Sequence, residues 1–129
     1  MKIRLTVMVL MMMLLSTSVQ AKLLTKSVSY QHECVKLEGY LSYKDSFKGN
    51  RSAVLVVHEW LGLNDYARTR AEQLAGLGYV AFALDMYGKG KVTTHPSQAY
   101  EYTNQINSNV HNWQQRTLAG LEMLRKNPK

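Results

Sequence analysis

The segment Ala53–Val57 is a continuous run of apolar, mostly β-branched residues, and it constrains the fold more than any other feature of the chain. A half-exposed strand alternates apolar and polar side chains, and this run shows no alternation. We therefore expect both of its faces to be buried, as in a central strand of a parallel sheet. The run stops abruptly at the polar pair His58-Glu59. The pattern predicts an α/β fold.

A helix and a second buried strand follow this run. Asn64 or Asp65 can cap a helix whose apolar residues recur at helical spacing, and Gly76 and Gly78 end it. Tyr79–Leu84 is again continuously apolar and predicts a second buried strand. Strand, helix and strand within about thirty residues make one βαβ unit, whose crossover is right-handed in nearly all proteins.

The flanking segments predict further elements of the same sheet. Ser27–Glu33 and Val35–Tyr43 alternate in the manner of a hairpin, with Gly39 as an expected bulge. A helix is predicted from Pro96, and Val110–Lys126 predicts an amphipathic helix. Its expected apolar stripe consists of Trp113, Thr117, Gly120, Leu121 and Leu124. Because such a helix should lead into another parallel strand, the sheet is predicted to be incomplete within these 129 residues.

Residues 1–21 have the features of an export signal. Lys2 and Arg4 precede an apolar core, Leu5–Leu15, and Val19-Gln20-Ala21 offers a cleavage site. The core of about eleven residues is shorter than the roughly 20 that span a bilayer, so no stable membrane span is expected after cleavage. We expect a periplasmic or secreted domain comprising residues 22–129; an uncleaved N-terminal anchor is the alternative.

Charge and cysteine content argue against two other classes of protein. Removing Lys2 and Arg4 with the leader leaves 14 basic and 9 acidic residues, with no basic run, so nucleic-acid binding is not expected. Cys34 is the only cysteine, so an internal disulfide cannot form. The four histidines are scattered rather than closely spaced, and we predict neither a metal site nor a cofactor.

In open α/β sheets, ligands bind beyond the carboxyl ends of the strands. The segments after Val57 and Leu84 are therefore the places to look for chemistry. His58-Glu59 is not a zinc-protease motif, because Gly62 stands where a second histidine is needed. Gly88-x-Gly90 lacks the spacing of a nucleotide-binding loop. The polar residues nevertheless follow rigid strands directly, which is where sites are usually built.

Two blocks give the chain a specific resemblance. His58–Asp65 (HEWLGLND) and Asp85–Gly90 (DMYGKG), at this mutual spacing, resemble the dienelactone hydrolases. The similarity extends over about residues 27 to 127, including the hairpin and the last helix. The resemblance implies the N-terminal portion of an α/β-hydrolase that needs no metal.

In that family a Cys or Ser nucleophile lies in a Gly-x-Cys/Ser-x-Gly elbow after a helix like Val110–Lys126, and the triad Asp and His follow. The 129 residues contain no such elbow, and neither His nor Asp follows His111. Glu59 matches the family glutamate that contacts the nucleophile. The Trp60 backbone N–H matches one oxyanion-hole donor. Lys89 stands where members with acidic lactone substrates have an arginine, although it could instead be a solvated loop residue.

The implied function is hydrolysis of a small carboxylic ester or lactone. We expect the chain to be truncated before the nucleophile and inactive alone, and to act on its substrate only when the missing C-terminal part completes it. The alternative is a non-catalytic remnant or interaction module that uses the incomplete sheet as a binding surface.

Overall fold

The computed structural model describes residues 21–46 and 49–126. The predicted leader, apart from Ala21, lies outside the described residues. No helix in the described ranges is long and apolar enough to cross a membrane. The secondary-structure elements, in chain order, are β1 Leu23–His32, β2 Val35–Lys44, β3 Ala53–Val57, α1 Asp65–Gly76, β4 Val80–Leu84, α2 Pro96–Asn107 and α3 Val110–Lys126.

The described strands form one mixed sheet in the order β1-β2-β4-β3. β1 and β2 make an unbroken antiparallel ladder, so the bulge predicted at Gly39 is wrong. Gly39 pairs with Val28 in regular register, and a side chain at this position would collide with the Phe82 ring on β4. The glycine is therefore explained by close packing, not by irregular backbone.

β3 and β4 pair in parallel, as the βαβ pattern predicts. β4 lies between β2 and β3 and is buried at all five positions. The expectation that both faces of β3 are buried is wrong: Ala53 and Val57 are exposed and the three residues between them are half-buried. The reason is that, among the described strands, β3 has β4 as its neighbour on one side only.

Helices cover both faces of β4, which gives the three-layer arrangement of an α/β fold. Phe82 and Leu84 pack in one apolar cluster with Leu124 of α3. Ala81 and Ala83 pack in a second cluster with the alanines of α1. Alternate residues of the strand thus face opposite layers, and the small side chains of the second cluster let α1 approach the sheet closely.

A capping side chain and a glycine help to position α1 and α3. The Asn64 side chain caps α1 by accepting a hydrogen bond from the Ala67 N–H at 3.2 Å. α3 buries Gly120 and Leu124 of its predicted stripe, whereas Trp113 is 41% exposed. A side chain at Gly120 would overlap Leu84, so the glycine lets the helix lie directly against β4.

Candidate functional site

The segments that follow β3 and β4 lie side by side at the carboxyl ends of these parallel strands. We call residues 58–64 the first loop and residues 85–95 the second loop. A side chain at Gly62, whose φ is +91°, would collide with the Lys91 carbonyl oxygen. The Thr93 N–H donates to the Leu61 carbonyl at 3.1 Å. The close approach and the hydrogen bond make the two loops one packed unit.

His58 links the two loops through both ring nitrogens. Its Nδ1–H donates to the Glu59 carbonyl at 2.6 Å, and its Nε2 accepts from the Met86 N–H at 3.1 Å. The ring also packs edge-on against Tyr87, with centroids 4.7 Å apart. These partners require the neutral imidazole with its proton on Nδ1.

Burial keeps His58 neutral. The side chain is 8% exposed, and loss of solvation lowers its pKa below the ordinary value. The hydrogen bond to the Glu59 carbonyl and the negative charge of Asp85 oppose this shift, but they do not reverse it. The imidazole therefore remains a fixed donor and acceptor at neutral pH.

Asp85 shapes the second loop from inside. The residue is 3% exposed, and its Oδ1 accepts from the N–H groups of Tyr87 and Gly88 at 3.0 and 2.8 Å. Oδ2 accepts from the Glu38 N–H on β2 at 3.1 Å. Three backbone donors thus satisfy this buried carboxylate and tie the loop to the neighbouring strand.

Tyr30 supports the backbone of Asp85 from β1. Its hydroxyl accepts from the Asp85 N–H at 3.1 Å and donates to the Asp85 carbonyl at 3.2 Å. Burial raises the pKa of Tyr30 above its ordinary value, so the hydroxyl stays protonated and can act in both directions. From α3, the Arg116 guanidinium donates to the Met86 carbonyl. Residues of β1, β2 and α3 therefore all hold this loop in place.

Glu59 and Trp60 occupy the exposed surface of the first loop. The Glu59 side chain is exposed, and Trp60 is 47% exposed. The Trp60 carbonyl accepts from the Tyr87 hydroxyl at 3.1 Å. The N–H groups of Trp60 and Leu61 have no acceptor in the part of the chain that the structure describes. The turn is thus held to the rest of the protein through its carbonyls, and these two N–H groups can bind another acceptor.

Lys89 is directed towards β2 and not towards Glu59 and Trp60. Its ammonium pairs with the Glu38 carboxylate at 2.7 Å, and its backbone N–H donates to the Lys36 carbonyl. The side chain is 55% exposed and borders an open groove of about 460 Å³ along the hairpin. An exposed ion pair of this kind contributes little to stability and is easily exchanged. A role of Lys89 in substrate binding stays a prediction.

No three His, Cys, Asp or Glu side chains within residues 21–46 and 49–126 cluster closely enough to hold a metal ion. The groups that organise the site are instead His58, Asp85 and Tyr87, for which the sequence patterns predict no role. His58 and Asp85 each follow a strand of the sheet directly, and this position is their one signal in the sequence. The partners outside their own loops, the Met86 N–H for His58 and the Glu38 N–H for Asp85, lie 28 and 47 residues away and could not be read from sequence.

Comparisons with known proteins agree with this architecture. The model of the dienelactone hydrolase family matches residues 37–129. The chain is 37% identical over 75 residues to a protein of Aquifex aeolicus assigned as a carboxymethylenebutenolidase, and 42% identical over 50 residues to the hydrolase fragment YghX of Escherichia coli. It covers 31% and 43% of these two proteins.

Solved structures match over most of the chain. The structure m3DLH superposes with a TM-score of 0.78 at 30% identity, covering 82% of this chain and 44% of that one. The dienelactone hydrolase-like promiscuous phosphotriesterase P91 from metagenomic libraries superposes with a TM-score of 0.77 at 29% identity, again over 44% of its length. The chain therefore spans less than half the length of these relatives.

Proposed function

The chain belongs to the dienelactone hydrolase family, and from this premise we propose that it contributes one part of an active site that hydrolyses carboxylic esters or lactones. In this proposal the first loop supplies an oxyanion-hole donor, the Trp60 N–H, and a carboxylate, Glu59. The nucleophile, the triad Asp and the triad His come from the remaining part of the family fold. The substrate is a small molecule, and no metal takes part.

The observation that carries the proposal is the turn at Trp60, whose carbonyls are hydrogen-bonded to the protein while the Trp60 N–H is not, among the described residues. Acyl transfer builds negative charge on the substrate oxygen, and that charge is stabilised by N–H donors fixed in advance. The Trp60 N–H lies in a loop held by hydrogen bonds from both sides, and it has no acceptor among the described residues. It also follows a parallel strand at its carboxyl end, where ligands of such sheets bind.

Glu59 has a different proposed role. Glu59 lies two residues after the end of β3 and is exposed on the same turn, so its carboxylate can reach a nucleophile placed beside Trp60. A negative charge next to a thiol or hydroxyl favours the protonated nucleophile, because like charges repel. Glu59 would thus hold the resting nucleophile in its protonated form until substrate binds.

A chimera tests the proposal. Residues 22–126 replace the matching part of the metagenomic relative P91, whose remaining part would provide the elbow on the family pattern. We expect the chimera to hydrolyse p-nitrophenyl acetate and the chain alone not to do so. Trp60→Pro removes the N–H and should lower kcat about 10²- to 10³-fold, whereas Trp60→Phe keeps the N–H and serves as the matched control. Equal activity of the two variants in a folded chimera would refute the role of this N–H.

A second candidate is a non-catalytic interaction module, and the edge position of β3 among the described strands favours it. Val57 is 44% exposed, and an apolar edge strand is a template for pairing with another chain. On this hypothesis the chain forms defined oligomers and the chimera stays inactive although folded. Sedimentation of the chain and the chimera assay together separate the two candidates.

We also propose that the protein acts outside the cytoplasm after cleavage following Ala21. N-terminal sequencing of the protein recovered from the periplasm or the medium tests this. A mature chain beginning at Lys22 supports the proposal, whereas one that retains the leader in the cytoplasm contradicts it.

A further inference from the structure

The peptide group between Glu59 and Trp60 carries the N–H to which we assign the oxyanion role. In a trans peptide the C=O and the N–H point in opposite directions from one rigid plane, and the described residues contain no cis peptide bond. Any group that holds the Glu59 carbonyl therefore also sets the direction of the Trp60 N–H. Such a group need not touch the substrate.

Two donors hold this carbonyl. The His58 Nδ1–H donates to it at 2.6 Å, and the Gly62 N–H, which closes the turn, donates at 3.2 Å. The shorter bond comes from a side chain that is itself immobilised by the Met86 N–H and the Tyr87 ring. The position of the Glu59 carbonyl is thereby fixed relative to the second loop as well as within its own turn.

The next peptide is held in the same sense. Its carbonyl, on Trp60, accepts from the hydroxyl of Tyr87, which lies 3.0 Å from the Thr103 hydroxyl on α2. Two successive carbonyls therefore face buried donors, and the N–H groups of Trp60 and Leu61 face the opposite way. Each of these bonds therefore ends on the carbonyl of a peptide whose N–H has no acceptor among the described residues, which is more than joining the two loops requires.

We propose that His58 is a positioning residue for the Trp60 N–H, with Tyr87 holding the adjacent peptide. The inference rests on the proposed function for the use of the N–H, but its geometry can be tested without catalysis. Free histidine favours the Nε2–H tautomer, whereas this role requires the neutral Nδ1–H form. In the wild-type chain, long-range ¹H–¹⁵N spectra should show Nδ1 protonated at neutral pH. The Nε2–H tautomer would overturn the proposal without any variant.

Two substitutions separate positioning from a merely structural role. His58→Asn keeps a donor near the Nδ1 position for the Glu59 carbonyl, whereas His58→Gln keeps an acceptor near the Nε2 position for the Met86 N–H. His111→Gln, at an exposed position on α3, is the control. The ¹⁵N order parameter of the Trp60 N–H should stay near about 0.85 in the wild type, the control and His58→Asn. It should fall below about 0.6 in His58→Gln.

A loss of order that is equal in the two His58 variants, or absent from both, would overturn the proposal. If protein concentration limits NMR, Trp113→Phe leaves Trp60 as the single tryptophan, and its anisotropy decay at micromolar concentration should rank the variants in the same order. If His58→Gln unfolds, the tautomer and the His58→Asn result still decide. An inactive chimera with this ranking intact refutes the proposed function alone; an active chimera without the ranking refutes the positioning role alone.

Discussion

Replacing Asp85 by asparagine tests how the second loop is built. The carboxylate uses Oδ1 for the N–H groups of Tyr87 and Gly88, and Oδ2 for the N–H of Glu38. An asparagine oxygen can keep the two loop donors, but its NH₂ group then faces the Glu38 N–H. One part-buried backbone donor loses its acceptor, and the two remaining hydrogen bonds lose their charge.

The magnitude follows from these losses. Leaving this part-buried donor unsatisfied costs about 1–2 kcal/mol, and the two charged bonds are each stronger than neutral ones by about 1 kcal/mol. We expect Asp85→Asn to lower the free energy of unfolding by roughly 3–4 kcal/mol, a large share of the 5–15 kcal/mol typical of a domain. For a domain of this size that corresponds to a fall in Tm of roughly 10–25 °C.

Urea unfolding followed by circular dichroism measures this change. Asp65→Asn is the matched control, because Asp65 is exposed in the first turn of α1 and should contribute only about 0.3–1 kcal/mol through the helix dipole. Unfolding free energies of the two variants that agree within about 0.5 kcal/mol would refute the account of Asp85 as the acceptor that organises the loop.

Three further predictions address the same site. Because the pKa of His58 is lowered in the folded state, its contribution to stability should be full above about pH 6.5 and should be lost as the pH falls from there through the folded pKa. Urea titrations at several pH values should therefore show a smaller loss of unfolding free energy in acid for His58→Gln than for the wild type. An unchanged pH profile would contradict this. Gly62→Ala combines an unfavourable φ with a collision against the Lys91 carbonyl. It should therefore lower the stability of the fold by about 1–3 kcal/mol more than Gly49→Ala, because Gly49 has a similar φ of +95° but open space around it. Equal losses of stability in thermal melts would contradict the argument from close approach. In the chimera, Lys89→Gln should raise KM for an anionic lactone up to about fivefold and leave KM for a neutral ester unchanged, and equal effects on both would exclude a role in recognising charge.

Local patterns in the sequence predicted the elements with accuracy. β3 begins and ends at the predicted residues, because its apolar run stops sharply at both ends, and α3 begins at the predicted Val110. β1 begins at Leu23, four residues before the predicted start, since its outer end is largely exposed and lacks a clear alternation. The bulge predicted at Gly39 was wrong because the glycine is required by the Phe82 ring on β4, a long-range contact that a local pattern does not show.

The site was predictable only in its position. Chain order places Glu59 and Trp60 just after a predicted strand, and the structure puts them at the carboxyl end of β3. What holds them in place is carried by Tyr87 and His58, whose contacts join two loops separated by a whole helix and strand. Periodicity reports burial, but it does not report which backbone carbonyl a buried polar side chain contacts.

The most direct test of the central claim is a crystal structure of the chimera inhibited by an aryl phosphonate, which mimics the tetrahedral intermediate of ester hydrolysis. If the first loop supplies the oxyanion-hole donor, a phosphonyl oxygen will lie about 2.7–3.1 Å from the Trp60 backbone nitrogen, with the imidazole of His58 still bound to the Glu59 carbonyl. A covalently inhibited protein whose phosphonyl oxygens all point away from Trp60 would contradict it.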